Sequence, residues 1–252
     1  MLIFTLPIII MMLAAIIPGI VLMKYIYRKD RLDKEPRSLL VRLFILGIIS
    51  TVLAVFTETV GMGLVNVIWG DRASTSFIAL VIENFIVVAL SEEGFKYLVL
   101  KRATWKNPEF NCTFDAVVYA VFVSLGFAVW ENIQYVFSYG FGTALVRAIT
   151  AVPGHTCFGV LMGAYYGMAK KYESKGDLAV SQKARKMAVI MPVLAHGAYD
   201  FFATVSSGLF SGMFIIVIVV LYFICYNLVK GLSENDTYIQ PTDPDFSYKD
   251  AE

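Results

Sequence analysis

Apolar runs of about 20 residues recur along nearly the whole of this 252-residue chain, separated only by short charged segments, and that recurrence leaves one architecture open. Such a run matches the ~30 Å hydrocarbon core of a bilayer at 1.5 Å of helical rise per residue. In lipid every backbone amide must find its partner within the protein, which restricts spanning structures to helices and closed barrels. The strict alternation and the turn signals about every ten residues that a barrel needs are absent. The chain therefore reads as an all-α, polytopic helical membrane protein. Its composition agrees, with 58% hydrophobic and 16% charged residues and a mean hydropathy of +0.68.

The runs place seven spans near Leu2–Tyr27, Leu39–Val67, Thr75–Leu100, Phe114–Phe137, Phe141–Met168, Met187–Val205 and Phe210–Val229. The first has no basic start and exceeds the core of a signal peptide, so it reads as an uncleaved span. Lys and Arg gather in the segments Arg28–Arg37, Lys101–Lys106 and Lys170–Lys186. The positive-inside rule puts all three in the cytoplasm only if the N-terminus is outside and the C-terminus cytoplasmic. Residues 1–232 then form one transmembrane domain. Residues 233–252, acidic and carrying Pro241 and Pro244, form a tail expected to be disordered. The setting is a cell membrane, read as a bacterial plasma membrane.

A net charge of +1 supplies no field for a polyanion, and nucleic acid is excluded as a partner. Membrane lipid is the immediate environment. Cys112, Cys157 and Cys225 show no metal-binding spacing and read as small apolar fillers, with Cys157 close in sequence to His155. No internal repeat of the kind that marks secondary transporters is visible.

Against this background the charged residues inside the spans stand out, because a charge at the bilayer centre costs roughly 2.5–3.5 kcal/mol even on the lenient insertion scale. Glu92 and Glu93 are adjacent in the third run, with Lys96 at i+4 and i+3. Consecutive helical residues diverge by about 100°, so one glutamate is expected to face a site while the other pairs with Lys96. A structural ion pair is the plain alternative. The chain's two histidines, His155 and His196, both fall mid-membrane, and Asp200 lies at i+4 from His196, on one helical face. Glu131 and Asn132 either orient water or form an interhelical hydrogen bond. Counted along the helices, Glu92 lies roughly 12 Å from the cytoplasmic end of its span and Glu131 roughly 24 Å from that of its own, a mismatch in depth. Glu58, Glu83 and Asn84 receive no chemistry, and Arg147 is expected to reach interfacial water.

These residues supply a base, an acid and polarising groups, the parts needed to activate water for amide hydrolysis. The same Glu and His side chains are also the right types to ligate zinc, which would activate the water instead. There is no His-Glu-x-x-His of a zincin and no Gly-x-Ser-Gly of a serine protease, and Tyr199-Asp200 lacks the Gly-x-Gly-Asp partner of an aspartyl intramembrane protease. A non-catalytic membrane scaffold and a proton-coupled transporter are the competing readings.

The motif Glu92-Glu93-Gly94-Phe95-Lys96 resembles the Glu-Glu-x-x-Lys motif of the PrsW family of intramembrane proteases. Gly126-Phe127-Ala128-Val129-Trp130-Glu131-Asn132, Pro153-Gly154-His155, His196-Gly197-Ala198-Tyr199-Asp200 and the loop Asp30–Pro36 resemble further blocks of that family in the same order. The likeness covers about Tyr27 to Phe201. More distantly the chain is similar to the CAAX prenyl proteases, with Glu131 where that family has histidine, and to the non-catalytic Aph subunits of gamma-secretase. The resemblance implies a peptidase that makes the first cut in a single-span anti-sigma factor, releasing a sigma factor for stress genes. It also implies that Glu92 or Glu93 activates water, that His155 and His196 stabilise the oxyanion or bind a metal, and that Glu131, Asn132, Asp200 and Lys96 assist. The metal, zinc if present, has Glu131, His155 and His196 as candidate ligands.

Overall fold

A computed structural model describes residues 2–205 and 207–239, with side chains from residue 8 onward. It is all-helical: α1 (Leu2–Lys29), α2 (Arg37–Trp69), a 3-10 turn (Gly70–Arg72), α3 (Phe77–Val81), a π-helical segment (Ile82–Ala89), α4 (Leu90–Thr104), α5 (Asp115–Tyr139), α6 (Phe141–Ile149), α7 (Ala151–Ser174), α8 (Leu178–Thr204) and α9 (Gly208–Glu234). Among the described residues six helical stretches are long and apolar enough to cross a membrane. The third expected span forms a continuous helical run from Phe77 to Thr104, but the π segment interrupts it and Glu83, Glu92, Glu93, Lys96, Lys101 and Arg102 lower its hydropathy.

Two departures from the sequence-based boundaries bear on the site. The segment expected as a basic loop, 170–186, is mostly helix: α7 runs to Ser174 and α8 starts at Leu178, where the Asp177 side chain accepts a hydrogen bond from the Val180 amide at 3.0 Å. Lysine and arginine are good helix formers, so charge there marks the membrane boundary and not the helix end. The expected fifth span divides at Thr150 into α6 and α7. Gly140, at φ +86°, turns the chain tightly from α5 into α6.

The expected tail begins later and more firmly than its composition suggests. α9 continues to Glu234, and the Asp236 carboxylate accepts hydrogen bonds from the Phe114 amide and the Thr113 hydroxyl, both at 2.8 Å. Residues 240–252, the rest of that expectation, lie outside the described residues.

α5 and α7 form the buried centre, and small residues set their distance. Gly159, Gly163 and Gly167 recur every four residues on α7 and face the α5 backbone: a Cβ on Gly163 would lie 2.5 Å from Val117 Cα, and one on Gly159 3.0 Å from Val121 Cα. His155 continues that stripe one turn earlier. Its carbonyl accepts a hydrogen bond from the Ser124 hydroxyl of α5 at 2.6 Å. The outer faces of α1, α2 and α9 carry large exposed apolar side chains, such as Val21, Phe56 and Phe223, as a lipid-facing surface requires.

Candidate active site

The interior charges converge on Lys96. Its ammonium donates to Glu92 Oε2 at 3.0 Å, to Glu93 Oε1 at 2.7 Å and to His155 Nδ1 at 3.1 Å, so all three of its protons are used. Both glutamates reach Lys96, because its long side chain sits between the two faces they occupy, and Glu92 also lines a cavity that Glu93 does not line. The Phe127 ring lies 3.9 Å beneath the same ammonium, a cation–π contact in a dry surround. Trp130, three residues on in α5, is exposed.

Each histidine points one nitrogen at this centre and the other away from it. His155 Nε2 is 2.9 Å from Glu131 Oε2. His196 Nδ1 is 2.9 Å from Glu93 Oε1, and its Nε2 is 3.1 Å from Asp200 Oδ2, as the i+4 spacing implies. Phe158 stacks on His196 with ring centroids 4.5 Å apart, fixing the plane of the imidazole. Pro192, one turn earlier in α8, is buried.

The apparent mismatch in depth came from the helix ends. Counted from Thr104 and from Leu178, Glu92 and His196 lie roughly 18 and 27 Å from the basic end of the bundle, which brackets the roughly 24 Å of Glu131 in α5. The groups share one layer.

Sequence reasoning missed Arg147. Far from reaching out to interfacial water, its guanidinium lies 2.9 Å from Glu131 Oε2 and donates through Nε to Asn132 Oδ1 at 3.0 Å, with the Tyr135 ring 4.0 Å away. Asn132 donates in turn to the Ala15 carbonyl of α1 at 3.0 Å. It is an interhelical tie, whereas its neighbour Glu131 enters the site. The only sequence sign was one arginine near the end of an apolar run.

A cavity of about 570 Å³ opens onto this layer. Glu92, Glu131, His155, His196, Asp200 and Arg147 line it, as do Glu58, Glu83 and Asn84. Glu93 and Lys96 lie behind the wall. A second cavity shares Glu83 and Thr204 with the first and continues to the Ala73–Thr75 turn. The second cavity thus adjoins the first and extends toward the end of the bundle where α2 meets α3. The π segment forms part of its wall and is pinned by Asn84 Oδ1, which accepts a hydrogen bond from the Thr204 hydroxyl of α8 at 3.3 Å.

Four of these side chains form a donor set of the kind that holds a metal. Glu92, Glu93, His155 and His196 each offer one ligand atom, all within 4.8 Å of one another. Glu93 Oε2 is buried and accepts no hydrogen bond, and Lys96 marks the spot as one that holds positive charge. Two carboxylates and two imidazole nitrogens suit a borderline cation. Glu131, a candidate ligand by sequence, is not in this group; it holds the far nitrogen of His155, as Asp200 holds that of His196.

The family model described as PrsW family intramembrane metalloprotease matches residues 35–226. A relative named Protease PrsW from Oceanobacillus iheyensis is 33% identical over 224 residues, 88% of this chain and 95% of the relative. Relatives of the same name from Clostridioides difficile and Bacillus subtilis are each 34% identical, covering 75% and 77% of this chain and 77% and 83% of their own. No solved structure matches. This chain, a multi-pass peptidase with its charges gathered on Lys96, belongs to the PrsW family of intramembrane metalloproteases.

Proposed function

We propose that the chain hydrolyses a peptide bond in a single-span membrane protein of the anti-sigma-factor class, with Glu92 as the base that activates water. The observation that carries this reading is the position of Glu92: it lines the cavity while Glu93 and Lys96 lie behind it. Its Oε2 is held by Lys96, and its Oε1 takes no hydrogen bond from the described residues. Water in the cavity reaches that oxygen. Glu92 takes a proton from the water as it attacks the scissile carbonyl, and passes it to the departing amine. Lys96 stabilises the carboxylate before the transfer.

His155 and His196 flank the same point, each fixed by its outer carboxylate. Glu92, Glu93, His155 and His196 would hold the metal, for which zinc is proposed, through one atom each; bound there, it would polarise the carbonyl and acidify water, and the second oxygen of Glu92 would stay free as the base. Arg147 and Glu131 complete the polar lining of the cavity. Residues 1–232 act as the protease domain in a bacterial plasma membrane, N-terminus outside, and the cut is proposed to fall on the outer side of the membrane, a reading supported by the second cavity, which adjoins the first and reaches the Ala73–Thr75 turn.

The test is incubation of detergent-purified protein with a single-span anti-sigma substrate, the cut located by mass spectrometry. A defined cut that is lost in Glu92→Gln, lost under a strong chelator and restored by zinc is the expected result. A cut that survives Glu92→Gln overturns the assignment of the base, and one indifferent to chelation overturns the metal.

A further inference from the structure

We propose that the groove between the C-terminal half of α4 and the N-terminal half of α8 binds the phosphate headgroup of an anionic phospholipid. The helix extension of α8 creates it. Gln182, Arg185, Lys186, Val189 and Ile190 fall at i, i+3, i+4, i+7 and i+8, a single helical stripe, and face Tyr97 and Lys101, themselves one turn apart on α4. Three cations line the groove and no acid does.

The cations are unsatisfied. Among the described residues Lys101, Arg185 and Lys186 make no ion pair and donate no hydrogen bond to the protein. Arg185 is half-buried, its guanidinium held 5.1 Å above the Trp105 ring. That contact leaves its five N–H donors without a hydrogen-bond partner among the described residues. Guanidinium forks match phosphate oxygens in geometry as well as charge.

The apolar part of the groove selects a lipid over a free anion. Past the cations the stripe becomes Val189 and Ile190, then Leu194, and the last two are exposed on the outer face of a membrane-spanning helix. A soluble phosphate would use the cations alone, whereas a phospholipid covers both parts.

Location gives the contact a consequence. Lys101 lies eight residues beyond Glu93, and Arg185 eleven before His196, so the groove sits about 12–16 Å along both helices from the Glu93–His196 contact at 2.9 Å. A headgroup bridging Lys101 and Arg185 cancels their mutual repulsion and clamps together the two helices that carry the site.

The experiment is native mass spectrometry of the full chain in neutral detergent with phosphatidylglycerol or phosphatidylcholine of identical acyl chains. At least tenfold preferential retention of phosphatidylglycerol is expected, falling to within twofold in the Lys101→Gln/Arg185→Gln double variant and in Lys186→Gln combined with Arg185→Gln. Millimolar inorganic phosphate should leave the bound phosphatidylglycerol in place. Equal retention of the two lipids by the wild type needs no variant to fold and overturns the proposal. So does displacement by inorganic phosphate, which would make this a free-anion site. An equal fall in Lys230→Gln, whose charge lies on α9, would assign the preference to net charge and overturn it too.

Discussion

His155 and Glu131 meet at one contact, Nε2 to Oε2 at 2.9 Å, that holds the outer nitrogen of the imidazole and leaves Nδ1 facing Lys96 and the glutamates. His196 repeats the arrangement with Asp200. A carboxylate on the far nitrogen fixes the tautomer and ring orientation of a ligating histidine, and its loss typically costs 10- to 100-fold in metal affinity. Glu131→Gln is therefore expected to lower zinc affinity by about that factor, measured by competition with a chromogenic chelator. It leaves all four proposed ligands in place. Unchanged affinity would show that Glu131 does not orient His155.

The two glutamates should separate on stability. Glu93 is fully buried, and its Oε1 contacts both Lys96 and His196. Its replacement by glutamine leaves buried positive charge under-compensated and is expected to cost about 3–5 kcal/mol, the scale for breaking a buried pair. Glu92 sits at the cavity wall, and Lys96 keeps Glu93 when it is changed. Glu92→Gln should cost about 1.5 kcal/mol while reducing cleavage about 100- to 10,000-fold, the range for a lost acid–base group. Thermal unfolding beside peptide cleavage reads both. Equal destabilisation by the two variants would reject this division.

The glycine stripe of α7 makes a packing prediction that reaches the site. Gly163→Ala drives a Cβ to 2.5 Å from Val117 Cα and 2.7 Å from the Ala116 carbonyl oxygen, which the α5 backbone can relieve only by moving away. A loss of about 1–3 kcal/mol is expected, together with reduced cleavage as His155 withdraws from Glu131. Gly94→Ala is the contrast: nothing lies within 4 Å of a Cβ there, and in mid-helix it should gain about 0.5–1 kcal/mol. Similar melting temperatures for the two variants would refute the close-packing argument.

That stripe also explains how far the site was legible. The pairs Glu92/Glu93–Lys96 and His196–Asp200 lie within one helix, and their spacing alone brings them together. The His155–Glu131 contact crosses from α7 to α5 and depends on how closely glycines let two backbones approach, which no periodicity encodes. Arg147 was read as interfacial because its partners, Glu131 and Asn132, belong to another helix. The π segment preceding Glu92 left no mark in residue type. Apolar runs located α1, α2, α5 and α9 within a few residues, but they misjudged the start of α8, because a basic sequence can be helical on either side of the membrane surface.

The loop between α1 and α2 carries a pH dependence whose sign can be worked out. Burial pushes the carboxyl of Asp30 up to about 6, with Lys34 opposing and Asp236 adding to the rise. Burial likewise raises Glu35 to about 8, against the Tyr119 hydroxyl, which donates to Glu35 Oε2 at 2.6 Å. Unfolded, both groups titrate near 4. The folded state thus binds more protons between about pH 4 and 8, so the stability these groups contribute is fully present below about 4 and is lost as pH rises, first through about 6 and then through about 8. The melting temperature in detergent is expected to fall between pH 5 and pH 8.5. Glu35→Gln keeps an acceptor for Tyr119 but cannot ionise, and should flatten the upper half of that decline. A wild-type melting temperature that rises over this interval would reverse the sign and reject the assignment. An upper slope unchanged by Glu35→Gln would move its origin to other groups.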